Sequence, residues 1–135
     1  MKYLLDTNTL SALVRDPKGS LNRRMQLAGA ENICTSIVVA AELRFGLALR
    51  GSSRLSHSVE GILRRLEVVP FDSPADRFYG EIRADLQRKG TSIGGNDVFI
   101  AAHALALGYT LVTGNVREFE RVDGLLVENW LRVEP

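Results

Sequence analysis

The chain has 135 residues, of which 45% are hydrophobic and 24% charged, and its formal net charge is +1. That length suits one domain able to bury a core without disulfides or a structural metal, and the composition excludes a fibre or a disordered chain. Near-neutrality excludes nucleic-acid binding through global charge, so any such grip must come from a local basic patch.

In chain order, Tyr3 to Leu5 reads as a first strand, followed by a short helix from Thr9 to Val14 with Leu10, Leu13 and Val14 at helical spacing. Pro17 and Gly19 break the chain before a second short helix, Leu21 to Ala28. Ile33 to Ser36 is a second strand, and Ser36 can cap a helix from Ile37 to Leu49 that Gly51 closes. Arg54 to Leu66 forms a further helix, with an apolar stripe of Leu55, Val59, Ile62, Leu63 and Leu66. Glu67 to Phe71 is a third strand. Ser73 then stands as an N-cap, with Pro74 at the first helical position and Asp76 in the first turn, opening a helix that runs to Lys89 and stops at Gly90. After a loop from Thr91 to Gly95, Asn96 can cap a helix ending at Gly108. Tyr109 to Thr113 and Leu125 to Glu128 are the last strands. Strands alternating with helices predict one domain over residues 1–135, an α/β sandwich with a mostly parallel central sheet. In such sheets ligands bind beyond the carboxyl ends of the strands.

The lone cysteine, Cys34, sits in the apolar stretch from Ile33 to Ile37 and reads as a small buried hydrophobe. The opening run meets Asp6 too early for a signal-peptide core. The longest apolar run, Val98 to Gly108, contains His103 and falls short of the roughly 20 residues that span a bilayer. The expectation is a soluble, cytoplasmic protein without a membrane partner.

Three acids stand where chemistry is expected. Asp6 directly follows the first strand; as a bare residue it serves equally as a turn or helix cap. Glu42 lies among Val38, Val39, Phe45, Gly46 and Leu49 at helical spacing, an apolar setting where a lone charge is costly. It calls for a metal, a proton or a distant arginine, since Arg44, two residues on, faces elsewhere. Asp97 opens its helix, where the dipole favours an acid, yet its helical neighbours Ile100, Ala101 and Ala104 turn it inward. If the three converge, their repulsion demands a cation, and oxygen ligands favour magnesium or manganese. A fourth contributor is sought after Thr113, with Asn115 and Glu118 ahead of Glu120 and Asp123.

These segments carry a resemblance. Leu4-Leu5-Asp6-Thr7-Asn8, Ile37 to Gly46 around Glu42, Ile93 to Ala104 around Asp97, and Thr113-Gly114-Asn115-Val116-Arg117-Glu118-Phe119 resemble, in order and spacing, the four motifs of PIN domains, and within that family the VapC toxins of VapBC toxin–antitoxin modules. The resemblance implies a PIN-like three-layer α/β/α sandwich and a Mg2+- or Mn2+-dependent endoribonuclease that cuts structured RNA, tRNA prominent among its targets. It further implies a homodimer inhibited by a VapB-type antitoxin. Many PIN domains carry an aspartate in the fourth segment where this chain has Asn115, with Glu118 three residues on.

The site expected from this reading has Asp6, Glu42 and Asp97 as metal ligands and Glu118 as the fourth acid. Thr7, Asn8, Ser36 and Asn115 orient ligands or phosphate around them. Arg15, Lys18, Arg23, Arg24, Arg44, Arg88, Lys89 and Arg117 are candidates for gripping RNA. Arg77–Glu81 and Asp85–Lys89 are expected helix-surface ion pairs. His103, among alanines, reads as a packed residue rather than a ligand, and Trp130 as packed onto the domain. The rivals are a phosphatase with Asp6 as nucleophile, against which Asn8 stands where a second acid is usual, and a non-catalytic module that only binds RNA or protein.

Overall fold

The computed structural model describes residues 1–131. Five strands form one sheet: β1 (Tyr3–Leu5), β2 (Ile33–Ser36), β3 (Glu67–Val69), β4 (Thr110–Val112) and β5 (Val127–Glu128). Their order is β3-β2-β1-β4-β5 and every pairing is parallel. Central parallel strands are buried on both faces, which is why they read as unbroken apolar runs. Leu4, Leu5, Leu111 and Val112 have no exposed surface.

The helices are α1 (Thr7–Arg15), α2 (Ser20–Ala28), α3 (Ile37–Arg50), α4 (Ser53–Arg65), α5 (Ala75–Arg88), α6 (Gly95–Leu107) and the short α7 (Val116–Phe119). From β1 to β3 the chain steps outward one way; it then crosses back over β2 and β1 to reach β4. Right-handed crossovers put α1 to α4 on one face and α5 with α6 on the other. Packing follows suit, with α1 against α3 and α4, and α5 against α6. The three layers of the expected sandwich are present, around a sheet that is wholly parallel. The reversal of direction falls between β1 and β4, the switch point where such sheets open a crevice at their carboxyl ends.

Ser36 caps α3, its hydroxyl accepting from the Val38 N–H, and Gly51 closes that helix in the left-handed region. Two expected caps fail. Helix α5 starts at Ala75, after Pro74, and its first N–H groups go to backbone: Ala75 to the Asp72 carbonyl and Arg77 to that of Pro74. Ser73 therefore caps nothing. Helix α6 starts at Gly95, so Asn96 lies inside the first turn rather than before it. The four-residue α7 and a 3-10 turn at Ala30–Asn32 are too short to leave a periodic signal. Nor is the α3 stripe wholly inward: Val39 and Leu43 are buried, whereas Phe45 and Leu49 are 66% and 72% exposed. Trp130 does pack onto the domain, edge-on to Tyr3 at 4.8 Å.

Candidate active site

The crevice at the carboxyl edge is built from the ends of β1 and β4 and the starts of α3 and α6. Asp6 leaves β1 with its own N–H still bonded to the Val112 carbonyl of β4 (3.0 Å). It is buried, and its carboxylate caps α1 by accepting from the Thr9 N–H at 2.9 Å. Thr9 itself is anchored to the Val112 carbonyl (3.1 Å). Burial pushes the Asp6 carboxyl above its usual range; hydrogen bonds from Thr113 and Thr9 oppose the shift, and the charge of Glu42 adds to it. Asp6 is thus both a cap and a member of the acid group.

Glu42 is half-buried, at the border between the buried and exposed sides of α3. Thr7, at the start of α1, donates its hydroxyl to Glu42 Oε1 at 2.6 Å. Among the described residues no arginine neutralises it; Arg44 pairs instead with Glu60 on α4. The buried-pair explanation of Glu42 thus finds no partner among the described residues.

Asp97 sits in the first turn of α6, with Ile100, Ala101 and Ala104 buried below it. Its carboxyl is raised to about 7, first by burial, then by the charge of Glu118 and a hydrogen bond to it, then by Glu42 and Asp6. Glu118, on α7, accepts from the Gly94 N–H at 3.1 Å and from the Asn115 side-chain amide. That double anchorage brings Glu118 to the site, while Glu120 is exposed and Asp123 is held by Lys89. Gly94 also yields room: a Cβ there would lie 3.2 Å from Asp97 Oδ2.

Asp6, Glu42, Asp97 and Glu118 thus act on one another electrostatically, and among the described residues none has a basic partner within 4.0 Å. Nor do three of these carboxylates form a ready-made coordination shell among the described residues. The donor set is all oxygen and its uncompensated charge is negative, which suits a hard divalent ion and not zinc.

Of the other expected site residues, Thr7 and Asn115 each hold an acid. Asn8 is exposed and bonds to none of the four among the described residues. Ser36 is turned away from them, bonded to Val38 and to His103 (2.8 Å). Thr113 is a contributor that reading the sequence missed. The signal for Thr113 was present: Leu-Val-Thr ends β4 as Leu-Leu-Asp ends β1, and the register Leu5↔Val112 sets the two residues side by side. Of the basic candidates, Arg24, Arg44 and Lys89 are engaged in surface ion pairs. Lys89 does pair with Asp85, whereas no Arg77–Glu81 pair forms among the described residues.

The PIN domain family model matches residues 3–125. A ribonuclease VapC2 of Rickettsia felis is 39% identical over 132 residues, covering 96% of this chain and 98% of the relative. A tRNA(fMet)-specific endonuclease VapC of Salmonella typhimurium is likewise 39% identical over 132 residues, covering 96% and 98%. The crystal structure of Rickettsia felis VapBC2 bound to a DNA fragment from its promoter superposes with a TM-score of 0.88 at 37% identity, covering 96% of this chain and 99% of that one.

Proposed function

This chain belongs to the PIN domain family, and from that premise we propose that it is a metal-dependent endoribonuclease of the VapC kind, acting on structured RNA, with tRNA the preferred class. The observation that carries the reading is the group of four carboxylates at the switch point without a basic partner among the described residues. An idle acid cluster only destabilises a fold, so its retention without neutralising partners supports a bound cation.

Asp6, Glu42 and Asp97 would hold Mg2+ or Mn2+, with Glu118 as the fourth acid. A bound ion would lower the pKa of a water and offset charge on the phosphate. The chain's own groups do the rest. Thr7 fixes Glu42, Thr9 and Thr113 fix Asp6, and Gly94 and Asn115 fix Glu118. Burial and the neighbouring acids raise the Asp97 carboxyl to about 7 in the metal-free protein, and an ion must displace that proton to bind, so metal affinity should rise with pH through about 7. A phosphatase using Asp6 as nucleophile is disfavoured, because that carboxylate is buried and tied to Thr9 and Thr113.

The test is incubation of the purified chain with total tRNA. Cleavage is expected with Mg2+ or Mn2+ and none with a chelator. Asp97→Asn should lower the rate by about a hundredfold or more while the fold persists, because even groups that only support a ligand contribute roughly 10–100-fold. Cleavage unaffected by chelator and by this substitution would sink the reading.

Two partners belong to the same proposal. The exposed Ile37, Phe45 and Leu49, at i, i+8 and i+12 on α3, form an apolar strip that supports a homodimer. Phe45→Glu should shift the chain to monomer in light scattering, and an unchanged mass would refute that face. A cleft of about 230 Å³ runs from Thr7 and Glu42 along Val14, Leu43, Leu47 and Val59, with Arg15 and Arg50 beside it. It supports an inhibitory VapB-type segment docking next to the acids. Among the described residues no helix is long and apolar enough to cross a membrane, and action on tRNA would place the chain in the cytoplasm.

A further inference from the structure

His103 and Ser36 lie outside the chemistry described above, yet they form a buried side-chain bridge between the two helices that deliver Glu42 and Asp97. Ser36 ends β2 and caps α3; His103 sits on α6, two turns beyond Asp97. Both are essentially inaccessible, at 0% and 2% exposure, and His103 Nδ1 is 2.8 Å from Ser36 Oγ. The Ser36 oxygen already accepts from the Val38 N–H at 3.0 Å, which leaves its hydroxyl proton free to be donated. Burial pushes the His103 pKa below its usual value, which favours the neutral ring, while the Pro70 carbonyl opposes that shift by accepting from the ring; Phe71 packs edge-on to it at 5.3 Å. One consistent pattern results: Ser36 O–H donates to His103 Nδ1, and the ring N–H faces Pro70.

We propose that this bridge is a positioning device for the nuclease site, with His103 fixing the N-terminus of α3 against α6 and so setting the separation of Glu42 from Asp97. The inference rests on the metal-dependent reading above. Helices α3 and α6 lie on opposite faces of the sheet but approach each other, and the Ser36–His103 contact is the side-chain hydrogen bond that ties the start of one to the other among the described residues. A buried hydrogen bond has a preferred length and angle, and it fails when displaced. Carboxylates that share an ion must be held to about half an ångström, so support from behind is what such a site requires.

The experiment compares wild type, His103→Leu, His103→Gln and Ser36→Ala. Leucine fills the volume without the bridge. Glutamine can accept from Ser36 and donate to Pro70. Three quantities are read: Mn2+ affinity by titration calorimetry without RNA, kcat and KM on tRNA, and amide exchange at Val38 in metal-free protein. His103→Leu and Ser36→Ala should each weaken Mn2+ binding by about tenfold or more and lower kcat with KM for RNA unchanged, in the 10–100-fold range of groups that orient ligands. His103→Gln should restore most of both. The Leu–Ala double variant should be no worse than the worse single one, because one bridge cannot be lost twice. Wild-type Mn2+ affinity in folded His103→Leu, or losses that add in the double variant, would overturn the proposal. If His103→Leu does not fold, Ser36→Ala with wild-type Mn2+ affinity overturns it equally. Amide exchange separates the two levels. A wild-type chain that neither binds Mn2+ nor cuts RNA defeats the nuclease reading, while unchanged Val38 exchange in His103→Leu defeats the bridge itself.

Discussion

The carboxyl edge of the sheet and the outer helical surface treat acids in opposite ways. On the surface, Glu60 faces Arg44, Glu128 faces Arg24, and Asp85 and Asp123 share Lys89. At the edge, among the described residues, the donors to Asp6, Glu42 and Glu118 are hydroxyl and amide groups, and Asp97 pairs with no cation. The chain has 17 Lys and Arg against 16 Asp and Glu, so cations are not scarce. They are placed elsewhere. The contrast teaches that the repulsion at the edge is a built feature, eased in the metal-free protein by the raised Asp97 carboxyl.

The sharpest way to break the comparison is to remove an edge acid. Asp97→Asn should all but abolish RNA cleavage yet stabilise the metal-free protein above pH 7. The sign follows from the pKa. The Asp97 carboxyl titrates near 3.8 when unfolded and about 7 when folded, so between those values the native state binds more protons. Stability of the metal-free wild type must then fall as pH rises from about 4 through 7. Thermal melts across that window should show the decline in wild type and a flatter profile in Asp97→Asn, with Mg2+ restoring wild type above pH 7. A wild-type melting temperature that climbs through the same window would mean that the edge acids are already neutralised.

Gly94→Ala sharpens the comparison by disturbing the edge without changing its charge. The new methyl would sit 3.2 Å from Asp97 Oδ2 and force it aside by a few tenths of an ångström. A displacement of one ångström in an active site costs roughly a hundredfold, so a loss of about tenfold in kcat is expected, with little change in melting temperature. Full activity would show that Asp97 is free to settle elsewhere.

How much of this was legible in the chain follows from how far apart the interacting groups lie. Asp6, Glu42 and Asp97 were readable because each puts an acid at a strand end or beside apolar helical neighbours, a conflict visible within a few residues. The alternation of strands and helices was readable for the same local reason. Thr113 needed the β1–β4 register, and the Ser36–His103 contact needed two segments 67 residues apart to meet. Neither follows from periodicity. The two misplaced caps show the limit of local rules: Ser73 and Asn96 are sound cap residues, but backbone carbonyls and Gly94 took their places.

The smallest expected effect lies on the other side of the comparison. Glu60→Gln breaks the Arg44 pair, which joins α3 to α4 some distance along the same helix from Glu42. Arg44 holds the Glu60 carboxyl below its usual range, but the two side chains are 53% and 33% exposed, so water screens the pair and side-chain freedom offsets what remains. Both kcat and melting temperature should stay within error of wild type. The released Arg44 then tests the division of labour directly. Were it drawn to Glu42, it would neutralise an edge acid, and Mn2+ affinity would drop. Its position two residues on places it on a different face of α3, so no drop is expected. A clear one would show that the surface pair exists to keep a cation away from the site.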